Sequence, residues 1–390
     1  MRKIINYLHL NQVGGLELLF AMYCILSGYS WGPIKGHLIF ILLMAVIAYF
    51  RKDKNLFSLK ELTWVTTFVA VHELILMLAI SAPGYMFNNT LSTVIVCISI
   101  YPIARSLNYE KMVGALNWIA LLSIGGIIYH FLIIRSGGYV TPISLPFMPS
   151  LDTSSRFFEE GFRPTSFYAE PAAFVTYMMI PLFLSLFERK FIWAAVIVFS
   201  MFLSTSTTGI TMSTLMLAVY VLTQKVSMKY KLMATLLGVA FIYILFTGDI
   251  FSAGFEKINE TDIETTSRVA NGPAMVFNMP IGDIITGMPA ANPYDYYTSG
   301  GFHSNAIIVK QESIFCSTFW LVLAKFGVVG LLLYILLFLR NLVKSNDILP
   351  YVVILFASMF FQSVAVGSSG FAYQVIFIYV FVNRMMVKTK

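Results

Sequence analysis

The sequence predicts an all-α, polytopic integral membrane protein: about twelve transmembrane helices in a single helical domain over residues 1–390, with two long loops on its outer face. Three observations predict it. The 390 residues are 58% hydrophobic and only 12% charged, whereas a soluble domain is nearer half apolar and a quarter charged. Apolar runs of about 15–27 residues recur along the whole chain, and roughly 20 helical residues cross a hydrocarbon core. Basic residues concentrate in alternate gaps between those runs. This composition, with a mean hydropathy of +0.78, excludes an ordinary cytosolic enzyme, a nucleic-acid binder and a disordered chain. The net charge of +7 requires no acidic partner.

Taken in order, the runs are 14–31, 36–50, 62–81, 90–107, 112–134, 168–187, 191–205, 207–223, 231–247, 313–339, 348–366 and 371–385. The second, seventh and twelfth are short. The sixth opens with Pro171, which suits the first turn of a helix because its missing N–H has no intrahelical partner there. The tenth is long and contains Lys325, Gly327 and Gly330, so it is expected to be tilted or kinked.

Charge gives the orientation. Of 26 basic residues, 18 lie in the terminal and even-numbered gaps or at their edges. The opposite gaps hold Lys35, Arg135, Arg156, Arg163, Lys257, Arg268 and Lys310, and Lys325 lies inside a run. Both termini are therefore expected in the cytoplasm, and the two long gaps, 135–167 and 248–312, outside. Cys24, Cys97 and Cys316 all sit in apolar stretches at unrelated spacings, which suits neither a disulfide framework nor a zinc motif. No cleavable signal peptide is expected.

Chemistry is expected where the chain spends residues on ordered loops, hence on the outer face. The first outer loop carries Arg156 and Arg163 and ends at Glu170-Pro171. Glu170 reads either as a helix cap, complementing the positive end of the next helix, or as a functional carboxylate. The two arginines read either as neighbours of lipid phosphates or as a bidentate clamp on an anionic headgroup. The second outer loop carries Arg268 and then Gly300-Gly301-Phe302-His303-Ser304-Asn305. His303 is the only histidine in either long loop, and imidazole is the side chain best suited to proton transfer near neutral pH. Its flanking glycines would let backbone approach a ligand closely. Residues Glu260–Glu264 form an acidic stretch read mainly as solvated loop rather than a metal site. Tyr168, Tyr294, Tyr296 and Tyr297 offer flat faces on which the rings of a ligand could stack, although interfacial tyrosines are common.

Within the apolar runs, His72, Glu73, His130 and Lys325 are polar residues in a costly environment. Some are expected to pair with each other or bridge helices. His130, near the outer end of its run, could approach the first outer loop. No Walker A, GxGxxG or GxSxG motif occurs, leaving ATP-driven transport and serine-hydrolase chemistry unsupported. No internal repeat or inverted pair of broken segments speaks for a secondary transporter.

Three motifs together resemble the superfamily of O-antigen polymerase (Wzy) and O-antigen ligase. They are Arg163 through Phe174 (RPTSFYAEPAAF), Ser204 through Gly209 (STSTTG), and a large loop bearing Arg268, Pro280, Gly282 and His303-Ser304-Asn305 ahead of Phe326-Gly327-Val328-Val329-Gly330-Leu331. The resemblance covers roughly 155–335 by motif and the rest by hydropathy. It implies a metal-independent membrane glycosyltransferase of GT-C architecture in the bacterial inner membrane, with no cofactor and a periplasmic active site. The implied substrates are oligosaccharides on undecaprenyl pyrophosphate, and the implied partner is a polysaccharide chain-length regulator. By position, Arg268 resembles the loop arginine that holds pyrophosphate, and His303 the histidine that activates the acceptor hydroxyl. Thr208 stands where ligases carry arginine, so Arg163 or Arg156 would supply the second phosphate ligand. That departure, with Glu170-Pro171, favours polymerase over ligase. Glu170 is the alternative base to His303. A flippase or other transporter is the reading from another class.

Overall fold

A computed structural model describes residues 2–32, 34–51, 60–79, 84–146, 148–149, 151, 163–223, 227–229, 231–232, 267–290, 292–309, 313–342 and 366–388. Fourteen helices and one two-stranded hairpin occur among them. Ten of the twelve expected runs coincide with helices; 231–247 and 348–366 fall almost entirely outside the described residues. Two helices, Tyr109–Arg135 and the Thr318–Leu337 part of a longer one, are long and apolar enough to cross a membrane, and seven more are apolar but shorter. The chain divides into two compact units, residues 1–40 with 108–260 and residues 41–107 with 261–390.

The first unit contains α1 (Arg2–Tyr7), α2 (Gly15–Leu26), a hairpin of β1 (Ser30–Trp31) and β2 (Ile34–Lys35), the start of α3 (Gly36–Phe50), α6 (Tyr109–Arg135), α7 (Pro171–Phe187), α8 (Phe191–Leu203) and α9 (Thr207–Thr223). α2 ends five residues before the apolar run it occupies, because the chain reverses there. Gly32 takes φ +60°, Ser30 pairs with Lys35, and the Leu145 N–H donates to the hydroxyl of fully buried Tyr29 at 2.7 Å. α6 packs on α2, α7 and α8, and α9 on α7 and α8. Its 27 residues span about 40 Å at 1.5 Å per residue, against a hydrocarbon thickness of roughly 30 Å.

Loops of this unit gather at two opposite ends. At one end, buried Glu17 accepts from the Asn108 N–H at 2.9 Å, Asn108 caps α6 through the Lys111 N–H, and Glu188 pairs with Lys190 at 2.6 Å. At the other, Tyr29 meets Leu145 and Leu151, and Ile143 meets Ser166. The short links from α7 to α8 and from α8 to α9 reverse the chain as in an antiparallel bundle, whereas α2 and α6 begin at the same end.

The second unit contains the rest of α3, α4 (Lys60–Ala79), α5 (Gly84–Ser106), α10 (Ser267–Val276), α11 (Ile281–Thr286), α12 (Pro293–Thr298), α13 (Thr318–Leu342) and α14 (Ser369–Lys388). α4 packs against α5 and α13, and α14 against α5 and α13. α13 is broken at Gly327, whose φ/ψ of 66°/−173° no helix contains. The break expected from the glycines is therefore present, and a residue with a Cβ could not adopt this conformation cheaply.

Both units bury some polar side chains within their apolar cores and leave large apolar ones exposed. On α6, Asn117, Ser123 and His130 are buried while Leu122, Tyr129 and Leu132 are exposed; on α4, Glu73 is buried while Val71, Leu74, Ile75 and Leu78 are exposed. In water this arrangement would waste the apolar surface. Asn117 is satisfied inside: its amide donates to Leu8 O at 2.9 Å and accepts from Trp193 Nε1 at 2.9 Å.

Candidate functional site

In the first unit the candidate residues lie on the segment that leads into α7. Its centre is a contact between helix and loop. His130, 1% exposed on α6, accepts from the main-chain N–H groups of both Thr165 and Ser166 at 3.3 Å through Nδ1. Two consecutive N–H groups can converge on one acceptor because Ser166 takes φ +57°. Only glycine fits opposite: a Cβ on Gly126 would lie 2.2 Å from Ser166 Oγ. With Nδ1 accepting, the ring hydrogen is on Nε2. Tyr168 follows, 1% exposed, with its hydroxyl 3.2 Å from Ser123 Oγ. His130 thus meets the first outer loop as its position suggested, but it grips the main chain.

Arg163 and Glu170 stand at the two ends of this gripped segment, both half-buried. Glu170 occupies the cap position of α7, where its carbonyl accepts from Ala173 and Phe174. Glu170 thus holds the cap position expected of it, beside the positive helix end, but its carboxylate makes no capping hydrogen bond. Thr165 Oγ1 and Ser166 Oγ are buried with no partner among the described residues, a departure from the usual pairing of buried hydroxyls. Arg156 and Glu260–Glu264 lie outside the described residues. The Ser204–Gly209 motif forms the tight link from α8 to α9, with Thr205 at φ +52° and Gly209 packed against Val175.

In the second unit, the described residues between 267 and 317 form a packed cap rather than an open loop. Met275, Met279, Met288, Tyr296, Phe302, Ile314 and Cys316 make its core. Arg268 lies in the first turn of α10. Asn271, one turn on and fully buried, donates to Ile308 O and Phe315 O at 2.9 and 3.1 Å and accepts from the Ile308 N–H at 2.8 Å. It clamps the segment after His303 onto α10. Nothing in the local pattern marks Asn271, because a polar residue in a short loop helix ordinarily reads as solvated. His303 itself is exposed.

The glycines before His303 serve the cap. Gly301 packs flat on the Tyr296 ring, where a Cβ would lie 2.1 Å from a ring carbon, and Gly300 turns the chain at φ +83°. Tyr296 is 3% exposed, packs its ring against Phe302 at 5.8 Å in a tilted arrangement and donates its hydroxyl to Asp283. Burial, and secondarily the Asp283 carboxylate, push the Tyr296 hydroxyl well above its ordinary range. Tyr296 and Tyr168 are thus core residues, unavailable for stacking on a sugar. Tyr294 and Tyr297 are half-buried against the cap core.

Of the polar residues in this unit's apolar runs, Glu73 and Lys325 pair with each other and His72 reaches the loop main chain. Lys325 Nζ lies 2.7 Å from Glu73 Oε1, Thr90 donates to Glu73 Oε2 at 3.1 Å, and His72 Nε2 donates to Thr286 O at 3.1 Å. The candidate residues therefore divide: Arg163 and Glu170 belong to the first unit, Arg268 and His303 to the second. All three cysteines are free. Among the described residues, no three His, Cys, Asp or Glu side chains are grouped to hold a metal ion.

The chain matches no protein-family model and no curated protein sequence.

Proposed function

We propose that the chain is a bacterial inner-membrane glycosyltransferase. It spans the bilayer about twelve times with both termini cytoplasmic. It joins undecaprenyl-pyrophosphate-linked oligosaccharide units into O-antigen or a related surface polysaccharide on the periplasmic side. The growing chain on its lipid is the donor, and the terminal sugar of a fresh unit is the acceptor. Arg268 and Arg163, with Arg156 as a further candidate, neutralise charge on the departing pyrophosphate; oriented cations at developing charge are commonly the largest catalytic term. His303 takes the proton from the attacking hydroxyl, with Glu170 the alternative base. A chain-length regulator is the expected protein partner.

One observation carries this reading. The outer segment is a packed cap that sets Arg268 at the head of a helix and holds an exposed histidine in a glycine-shaped turn. A loop built only to connect two spans has no need of its own core. The large apolar side chains exposed on α4, α6 and α13, with polar ones buried behind them, support the membrane location. The test is the gel profile of surface polysaccharide in a deletion strain. A single repeat unit on lipid A-core is the polymerase result. Long polymer left on undecaprenyl pyrophosphate indicates the ligase, and an unchanged ladder refutes both.

A transport reading is favoured by a different observation: the buried Glu73–Lys325 pair beside the break in α13, since discontinuous helices with charged partners are typical of transporters. Purified protein with two lipid-linked units and no energy source separates the two. A longer sugar chain means transferase, and unchanged units moved across a bilayer mean transporter.

A further inference from the structure

The strongest unassigned feature is the way the α10–α11 segment meets α13 and α4. α11 packs along α13, and its far end is wedged into the α13 break. The Met288 N–H donates to Ala324 O at 2.8 Å, and a Cβ on Gly287 would lie 2.3 Å from Lys325 O. A Cβ on Gly327 would lie 2.1 Å from Ile285 O. Closer to the start of α13, the Phe277 ring meets Trp320 edge-on at 5.9 Å. The chain therefore descends along α13 from Phe277 to Gly287, turns there at φ +98°, and returns through Met288 to the cap core.

Two independent yardsticks give its depth. Ala324 and Gly327 lie six and nine residues into α13, about 9 and 14 Å below its outer end at 1.5 Å per residue. His72, which holds Thr286, lies seven residues from the end of α4, about 10 Å below that end. Both helices expose apolar side chains at and around this level: Val71, Leu74 and Ile75 on α4, and Val328 and Val329 on α13. Beside them the descending segment exposes Phe277 at 76%, Ile281 at 76% and Ile285 at 51%. These are three large apolar residues spaced four apart.

We propose that residues 277–290 form a re-entrant element seated in the outer leaflet, with Phe277, Ile281 and Ile285 facing lipid acyl chains. Irregular backbone at membrane depth is tolerated only where its polar groups are satisfied by protein, and the tip meets that demand. Thr286 O takes the His72 ring N–H, the Gly287 N–H takes Asp283 O, and the Met288 N–H takes Ala324 O. Asp283, the carboxylate of α11, is covered by the Tyr296 hydroxyl. The free N–H groups that begin α11 lie at its upper end, nearer water and headgroups. The proposal rests on the membrane reading of α4 and α13 and is independent of the reaction.

The test is spin-label accessibility in phosphatidylcholine proteoliposomes. Ile285→Cys, Ile281→Cys, Leu332→Cys and Thr298→Cys are each labelled, with the wild type labelled in parallel to subtract any signal from the native cysteines. Oxygen partitions into the hydrocarbon and a nickel chelate into water. Ile285→Cys is expected to resemble lipid-facing Leu332→Cys, with an oxygen-to-nickel ratio severalfold above that of Thr298→Cys on the cap. Ile281→Cys should be intermediate, because it sits higher. If labelled Ile285→Cys does not accumulate, Ile281→Cys reads the same face. Nickel access at both Ile281→Cys and Ile285→Cys equal to that at Thr298→Cys overturns the proposal alone. The same result at Leu332→Cys overturns the membrane reading of α13 with it.

Discussion

Lys325→Met leaves Glu73 as a buried charge without its counterion, and the size of the loss follows from the surroundings. Glu73 is 2% exposed and packed inside the helices, with Thr90 as its remaining hydrogen-bond donor. Removing one partner of a buried ion pair costs about 3–5 kcal/mol, whereas replacing both by apolar groups of similar volume is often neutral or stabilising. The Lys325 side chain retains 15% exposure, so the single substitution is expected at the low end, about 3 kcal/mol. Glu73→Met should cost a similar amount by stranding the ammonium. The double variant Glu73→Met/Lys325→Met should recover most of the loss, giving a coupling of at least about 2 kcal/mol, well beyond the additivity expected of independent sites. Thermal unfolding in detergent can be followed with a thiol-reactive fluorogenic maleimide, because Cys97 and Cys316 are each 1% exposed and react only as the structure opens. Two nearly neutral singles and an additive double would refute the assignment of a desolvated pair.

Four further outcomes are expected. Gly327→Ala should destabilise the second unit by about 1–3 kcal/mol from its backbone conformation alone, which lies in a region essentially restricted to glycine, and more because Ile285 O occupies the Cβ position; the same maleimide melt checks it. Raising the pH above about 10, the ordinary tyrosine range, should destabilise the cap: the folded hydroxyl of Tyr296 is raised above its unfolded value, so its contribution is present below that range and lost above it. Tyr296→Phe should remove that increment of alkaline sensitivity, measured as the difference between the two melting profiles. His303→Ala and His303→Gln should lose most turnover yet bind lipid-linked donor, with no effect of chelators on the wild type and a wild-type rate that falls on acidification; near-normal turnover by purified His303→Ala would sink the base assignment and turn attention to Glu170. Arg268→Ala and Arg163→Ala should each deplete the polysaccharide ladder, as should the lysine replacements that lose the fork geometry, while Arg189→Ala should not; an intact ladder from normally expressed Arg268→Ala removes its pyrophosphate role.

Much of the candidate site was legible because its residue types are out of place. His130, Glu73 and Lys325 stand out in apolar runs, and His303 is the lone histidine of its loop. What they touch was not legible. The glycines beside His303 suggested a ligand's close approach, yet they shape the chain around the Tyr296 ring. Glu170 holds the cap position it suggested, yet its carboxylate makes no capping hydrogen bond. Tyr168 and Tyr296 suggested sugar platforms, yet both are core. Asn271 carried no signal, because its three bonds reach residues far along the chain.

By itself the sequence determined the helical runs, the break in α13 and the sites where polar groups would need partners. These are local properties: apolar length, glycine's freedom at positive φ, and the cost of an ion in hydrocarbon act wherever the residue sits. Only the tertiary structure decided that Glu73 meets Lys325, that His130 grips the main chain of Thr165 and Ser166, that the described residues between 267 and 317 close on their own core, and that Gly287 seats against the break at Gly327. A buried polar group requires some partner, and its own stretch of chain does not specify which one. That choice belongs to the packing, which brings distant segments within hydrogen-bond range and leaves each of them few alternatives.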